Sequence, residues 1–334
     1  MKPLVSVITP VLNAADTLEL TLLSVSAQTY SNIEHIVIDG GSTDGTVDIL
    51  QRFQSSAELR WQSEPDSGMY PAINKGIALA RGGYISYLNA DDLYLPWSVE
   101  KAVSVMMGGK ADLVFGDVLI ISKRGGRARG VWMQFYPPFE AAVYANEVVM
   151  AQATVFWTRR VSALVGGFDE SLKYSGDFEY WLRAASSGFR YKNVREVLAV
   201  VIQHEAALST LHPDEVQREI ELVRGRYSQT FDRSRMRRFP RVAHLAHWRW
   251  SQLLLRLNFA KGRPSDWREV IPLLKKAGVE MGPGTLPLLL PKPLPGTWSF
   301  WRADPSRLER EIVAELRWQS ESRRNKPTRR RGGQ

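Results

Sequence analysis

Tyr84-Ile85-Ser86-Tyr87-Leu88-Asn89-Ala90-Asp91-Asp92 decides the fold. Its first half alternates apolar, aromatic and small residues as a buried strand does, and it ends on two carboxylates. A strand running into acids fits an open α/β sheet, where ligands bind beyond the carboxyl ends of the strands. Hard oxygen ligands at such an end suit a divalent cation, which commonly holds a phosphate. For the acidic pair alone the alternative is an Asx-rich turn capping a helix over residues 93–107, with Pro96 near its start. Three further stretches favour the site.

Residues 4–10 read as a β-strand ended by Pro10, followed by an apolar-periodic helix over 17–28. A second strand over 33–39 ends on Asp39 and enters Gly40-Gly41-Ser42-Thr43-Asp44-Gly45-Thr46, which leads to a helix over 46–53. This βαβ pattern makes the first two strands parallel. The glycine turn has the spacing of neither a P-loop nor a dinucleotide fingerprint. Beyond it, strands are expected over 59–62, 111–117, 118–121, 153–157 and 197–203, with helices over 70–80, 158–165 and 178–187. Arg124 to Arg129 reads as an exposed basic turn.

A chain of 334 residues holds one large α/β domain plus an appendage. The absence of cysteine excludes disulfides and thiolate metal sites. Met1-Lys2-Pro3 leads directly into the first strand without a signal peptide, and no uncharged stretch reaches the roughly 20 apolar residues that span a bilayer. The expected location is therefore cytoplasmic. The net charge of +9 is uneven, since from Asp232 onward about 23 Lys and Arg face about nine Asp and Glu. The rest of the chain is mildly acidic. The tail carries Val242, Ala246, Trp250, Leu253 and Leu257 at helical spacing, then five prolines between Pro283 and Pro295. The expected organisation is a catalytic domain over 1–210, a mainly helical, Pro-interrupted extension over 211–322, and a disordered basic tail over 323–334. The extension docks either on an anionic membrane surface, peripherally at the inner face of the cytoplasmic membrane, or on the catalytic domain or a second subunit of a homo-oligomer.

Thr9-Pro10-Val11-Leu12-Asn13, Ile38 to Thr46, Asn74-Lys75-Gly76, Leu88 to Asp92 and Val165-Gly166-Gly167-Phe168-Asp169-Glu170 together resemble family 2 glycosyltransferases, over roughly residues 3–210. The resemblance implies the GT-A fold, a mixed, mostly parallel sheet flanked by helices. It also implies inverting transfer of a sugar from a nucleotide-sugar donor to a hydroxyl on a saccharide or lipid-linked acceptor. The setting would be surface polysaccharide or glycolipid assembly, with Mn²⁺ or Mg²⁺ as cofactor.

Carried onto this chain, the resemblance places Thr9, Pro10, Asp39, Asp44, Lys75, Asn89, Ala90 and Asp91 around the donor. For Asp44 the alternative is an Asx turn capping the helix at Thr46, and for Lys75 a solvated helix face. Asp91, Asp92 and His204 would hold the cation, with Asp92 either ligating or held by its neighbours and His204 either completing the metal shell or bonding a phosphate oxygen. Asn89 stands where the family commonly has a carboxylate, bringing an amide oxygen but no charge. Asp177, before Trp181-Leu182-Arg183, is the expected catalytic base, with Glu179 the alternative base and a plain helix cap the alternative role. Gln152 faces the acceptor, and Ser209, five residues after His204, the donor phosphates. Two other classes compete. A nucleotidyltransferase also holds metal on strand-end acids, but its Gly-rich, basic amino-terminal motif is missing. A nucleic-acid-binding protein would explain the basic tail, yet no recognised nucleic-acid motif accompanies it, so no specific nucleic acid is expected.

Overall fold

The computed structural model describes residues 2–231, apart from 55–57, 126, 135, 137–138, 140–144 and 146–149, together with residue 314. The expectations for the chain beyond Asp232 lie outside the described residues. Nine strands form one mixed sheet among the described residues, in the order Leu59–Ser63, Ile33–Asp39, Val5–Val11, Tyr84–Tyr87, Phe156–Thr158, Leu113–Arg124, Tyr191–Gln203 and Leu93–Tyr94, with Arg127–Gln134 paired to Leu113–Arg124.

The amino-terminal half is a parallel βαβ array, as the sequence pattern predicts. β1 (Val5–Val11), β2 (Ile33–Asp39), β3 (Leu59–Ser63) and β4 (Tyr84–Tyr87) run parallel, with β2 on one side of β1 and β4 on the other. The strand order therefore reverses at β1, and this switch point opens a crevice at the carboxyl ends of β1 and β4. Pro10 fits the end of β1. Ile8 O accepts from Leu88 N and Val11 O from Gly40 N, so alternation turns the Pro10 nitrogen toward β4 beyond the last pair, Ile8 with Tyr87. No ladder bond is lost there. α1 (Leu18–Ser26), α2 (Thr46–Phe53) and α3 (Met69–Leu79) connect these strands.

Period-two alternation splits the core between the two faces of the sheet. Val5, Val7, Val114 and Val118 pack on one face with Tyr94, Trp97, Phe156 and Leu198. Ile8, Leu113 and Phe115 pack on the other with Tyr70, Trp157, Phe168, Tyr180 and Trp181. The second face is an aromatic cluster in which Phe168 stacks on Tyr180 at 4.2 Å and Trp157 meets Trp181 edge-on at 5.3 Å. Gly76 lets α3 approach β1, because a Cβ there would lie 2.4 Å from Ile8 Cγ2. Gly76→Ala should cost about 1–3 kcal/mol by overpacking, read as a lower melting temperature, despite alanine's better helix propensity.

Several expectations are corrected. The helix expected over 93–107 is instead β5 (Leu93–Tyr94), a turn, and α4 (Ser98–Met106). The reason is a pair of polar side chains, one on α1 and one just past its end: Ser24 Oγ accepts from Tyr94 N, while Gln28 donates to Leu95 O and accepts from Val99 N. With β9 (Tyr191–Gln203) pairing Leu93 and Tyr94, these contacts replace the helical bonds. The two strands expected over 111–121 are one, β6 (Leu113–Arg124), whose register against β9 shifts around Asp117. β7 (Arg127–Gln134) follows a tight turn and makes part of the expected basic loop a hairpin. β8 (Phe156–Thr158) begins three residues late, after a 3₁₀ turn at Gln152–Thr154. α5 (Arg159–Val165), α6 (Gly176–Ser186), α7 (Leu208–Leu211) and α8 (Pro213–Tyr227) complete the described fold. α8, beyond the boundary expected at 210, buries Val223 in the aromatic cluster.

Candidate active site

The Asn89–Asp92 turn lies beyond β4, at the switch point, and its two acids have opposite environments. β5 pairs antiparallel with β9, Leu93 opposite Val200, and that register carries Asp91 toward His204. Asp91 Oδ2 sits 3.0 Å from His204 Nε2, and both side chains remain partly exposed. This contact raises the His204 pKa above its ordinary value, with burial opposing it. Asp92 turns inward, 5% exposed, with Oδ1 accepting from Ile202 N and its carbonyl from Thr21 Oγ1. Burial, reinforced by the Asp91 charge, pushes its pKa well up. Among the described residues no three His, Asp or Glu side chains converge as a metal cluster. Of the three expected ligands, Asp91 and His204 face each other, while the Asp92 carboxylate is held by Ile202 N.

Asn89 and Gln152 form one network. Gln152 Nε2 donates to Tyr87 O at 2.7 Å, leaving its Oε1 to accept from Asn89 Nδ2 at 3.4 Å. Asn89 Oδ1 is then buried with no hydrogen-bond partner. A buried amide oxygen without a donor fits a cation or a ligand donor. Gln152 supports the acidic turn rather than standing free. Ala90 packs among Val11, Leu18 and Leu22 beneath it.

The glycine-rich loop is organised by its own acids. The Asp39 carboxylate, fully buried at the end of β2, accepts from Gly41 N, Ser42 N, Ser42 Oγ and Ser63 Oγ. Asp44 accepts from Thr46 N and Oγ1 through one oxygen and from Ala15 N through the other, which lowers its pKa. That is the Asx-turn geometry at the start of α2. Thr9 is buried within the sheet, its hydroxyl 2.9 Å from His35 Nε2. Lys75 pairs with Glu64 on the exposed side of α3. Asn74 bonds Phe168 N, Phe168 O and Glu170 Oε1, clamping the Gly-Gly-Phe-Asp-Glu segment to α3. Ser209 is exposed on α7.

Asp177 and Glu179, two residues apart on α6, project to different sides. Glu179 is buried, paired with Arg183 at 2.9 Å and accepting from the Tyr227 hydroxyl at 2.7 Å. Asp177 lies in the first turn of α6, after the N-cap Ser175, and accepts from Phe178 N. Burial pushes its pKa up to about 6. Two partners had no signal in the sequence. The Tyr70 hydroxyl accepts from Gly176 N at 2.8 Å and Asp177 N at 3.3 Å. The Glu219 carboxylate, from α8, accepts from Lys173 N, Tyr174 N and Ser175 N, each at 2.8 Å, and ties down the approach to α6. Tyr70 reads from sequence only as a residue of a helix start, and Glu219 as one of many surface charges.

Comparison with known proteins follows this geometry. The sequence model for glycosyl transferase family 2 matches residues 6–166. An uncharacterized glycosyltransferase of Mycobacterium tuberculosis is 39% identical over 188 residues, covering 55% of this chain and 69% of that protein. The glycosyltransferase AglE of Haloferax volcanii is 31% identical over 202 residues, covering 59% of this chain and 66% of its own. The crystal structure of Staphylococcus aureus TarS in complex with UDP-GlcNAc superposes with a TM-score of 0.54 at 16% identity, over 96% of this chain and 91% of that one. The fold is the GT-A fold, and the chain belongs to glycosyl transferase family 2, the sugar-transferring enzymes that its strand-end acids foreshadow.

Proposed function

We propose that this protein is an inverting glycosyltransferase, moving a sugar from a nucleotide-diphosphate donor at the β1/β4 crevice to an acceptor hydroxyl, with Asp177 as general base. The observation that carries the reading is the Asp177 carboxylate. Asp39, Asp44, Glu179 and Glu219 each accept from several donors within the fold, whereas Asp177, which accepts from Phe178 N, has a pKa raised by burial to about 6. A base needs a pKa near the working pH to take a proton from a hydroxyl as it attacks. Single displacement requires one base, not the acid and base pair of a glycosidase.

Asp91, His204 and the unpartnered Asn89 Oδ1 suit Mn²⁺ or Mg²⁺, since they offer one carboxylate, one imidazole and one amide oxygen. Such a cation supplies charge neutralisation for the departing diphosphate. UDP-sugars head the donor candidates because TarS was crystallised with UDP and with UDP-GlcNAc. A relative named for biosynthesis, the PGL/p-HBAD biosynthesis glycosyltransferase of Mycobacterium bovis, supports a role in glycoconjugate assembly.

A thermal-shift panel of UDP, GDP, dTDP and CDP, each with Mn²⁺, tests the donor reading. A nucleotide at a hundred times its dissociation constant stabilises the fold by about 2.7 kcal/mol, a shift of several degrees. One base should stand out. A flat response across all four would defeat the nucleotide-diphosphate donor.

A further inference from the structure

We propose that Tyr70 is a positioning residue for the transfer reaction: its buried hydroxyl fixes the first turn of α6 and, through it, the Asp177 carboxylate. This rests on the reading of Asp177 as base. Tyr70 is 1% exposed, and its ring stacks on Phe168 at 5.7 Å and 7°. Asn74, one turn further along α3, grips Phe168 through its backbone N and O. The ring therefore cannot swing without disturbing α3 and the Gly166–Glu170 segment together.

The ring also packs against a glycine. A Cβ at Gly176 would lie 2.7 Å from Tyr70 Cε2 and 2.8 Å from Cζ, so the phenol fills the space that any side chain there would need. In exchange the hydroxyl accepts the amide protons of Gly176 and Asp177, two donors that the first turn of a helix leaves without intrahelical partners. The same hydroxyl lowers the Asp177 pKa against the effect of burial. One buried atom thus fixes the backbone of the base and tunes its carboxylate.

The charged and titratable groups facing Asp177 are Tyr70 from α3 and Glu219 from α8. Burial raises the Asp177 pKa, the Glu219 charge raises it further, and the Tyr70 hydrogen bond opposes both. Removing the hydroxyl should therefore raise it again and move the acidic limb of the rate profile to higher pH. Carbonyl-¹³C NMR of aspartate-labelled protein reads this directly without any donor, the Asp177 signal being the one missing from Asp177→Asn. In Tyr70→Phe that signal should titrate about one unit higher than in the parent. Release of nucleoside diphosphate, assayed with UDP-, GDP-, dTDP- and CDP-sugars, should fall about tenfold in kcat with donor KM unchanged.

An unshifted Asp177 midpoint in folded Tyr70→Phe overturns the proposal, whatever the turnover. If that variant does not fold, the parent protein decides. Its Gly176 and Asp177 amide signals should move with the Asp177 midpoint because they share the hydroxyl, and amides that ignore it overturn the proposal. Failure of the base reading looks different: Asp177→Asn would keep its turnover, while the coupling of Tyr70 to Asp177 still appears in the spectra.

Discussion

Asp177→Asn should lose turnover by a factor of about 10² to 10⁴, keep its nucleotide binding, and melt at a higher temperature than the parent above about pH 6. The loss follows from removing the base. The gain follows from the cost of ionising the same carboxylate inside the fold. Asp177 titrates from a reference value of 3.8 when exposed and near about 6 when folded, because burial disfavours its charge. The folded state thus holds the proton more tightly than the unfolded chain. The penalty is absent below about pH 4, grows as the pH rises through the interval, and is complete above about pH 6. At neutral pH it amounts to roughly 2 kcal/mol after allowing for partial exposure, and asparagine relieves it. Melting curves at pH 4.5 and 7.5 should therefore converge at the lower pH and separate at the higher.

Glu179→Gln supplies the opposite signature within the same experiment. Its carboxylate anchors Arg183 and the Tyr227 hydroxyl, so the substitution leaves a half-buried guanidinium under-compensated and lowers stability at neutral pH. A stable but inactive Glu179→Gln beside an active Asp177→Asn would move the base two residues along α6.

The sequence pattern conveyed what local chemistry determines and missed what distant contacts determine. α2 was legible because Gly45, Asp44 and Thr46 set its start within three residues, and the parallel β1 and β2 because the intervening length admits a crossover. The acidic turn after β4 was legible because acids that follow an apolar strand have few structural uses. β5 was not, since the stretch after Asp92 has helical composition, and Ser24 and Gln28, about 70 positions away, together with the pairing to β9, extract its backbone from a helix. Asp91 and Asp92 were indistinguishable as neighbours, and the antiparallel pairing with β9 gives one to His204 and the other to Ile202 N. Asp177 and Glu179 were separated by Tyr227, on a helix beyond the region of the family resemblance. In each case the deciding partner lies far along the chain, where neither periodicity nor motif spacing registers it.

Asp91→Asn should abolish transfer, and chelation with EDTA should do the same to the parent, whereas Asp92→Asn should retain its cation response. The distinction comes from orientation rather than charge. Asp91 is partly exposed beside His204 in the crevice, while the Asp92 carboxylate is spent on Ile202 N inside the protein. A hard cation gains its affinity from anionic oxygen, so replacing Asp91 by an amide leaves only an imidazole and two neutral oxygens. Loss of charge neutralisation at a departing diphosphate costs several kcal/mol of transition-state stabilisation, so residual transfer should fall by about 10³ or more. The decisive readout needs no acceptor. In the parent, Mn²⁺ should enlarge the thermal shift produced by UDP or by whichever nucleotide the panel selects. In Asp91→Asn that increment should vanish while the shift from nucleotide alone persists, because the proposed base and ribose contacts would lie away from Asp91, at the ends of β1 and β2. Asp92→Asn should keep the increment and show only a modest change in melting temperature. Full transfer in excess EDTA would remove the cation from the reaction altogether. An increment lost in Asp92→Asn but kept in Asp91→Asn would exchange the two roles, and would require the turn after β4 to rotate on binding its ligand.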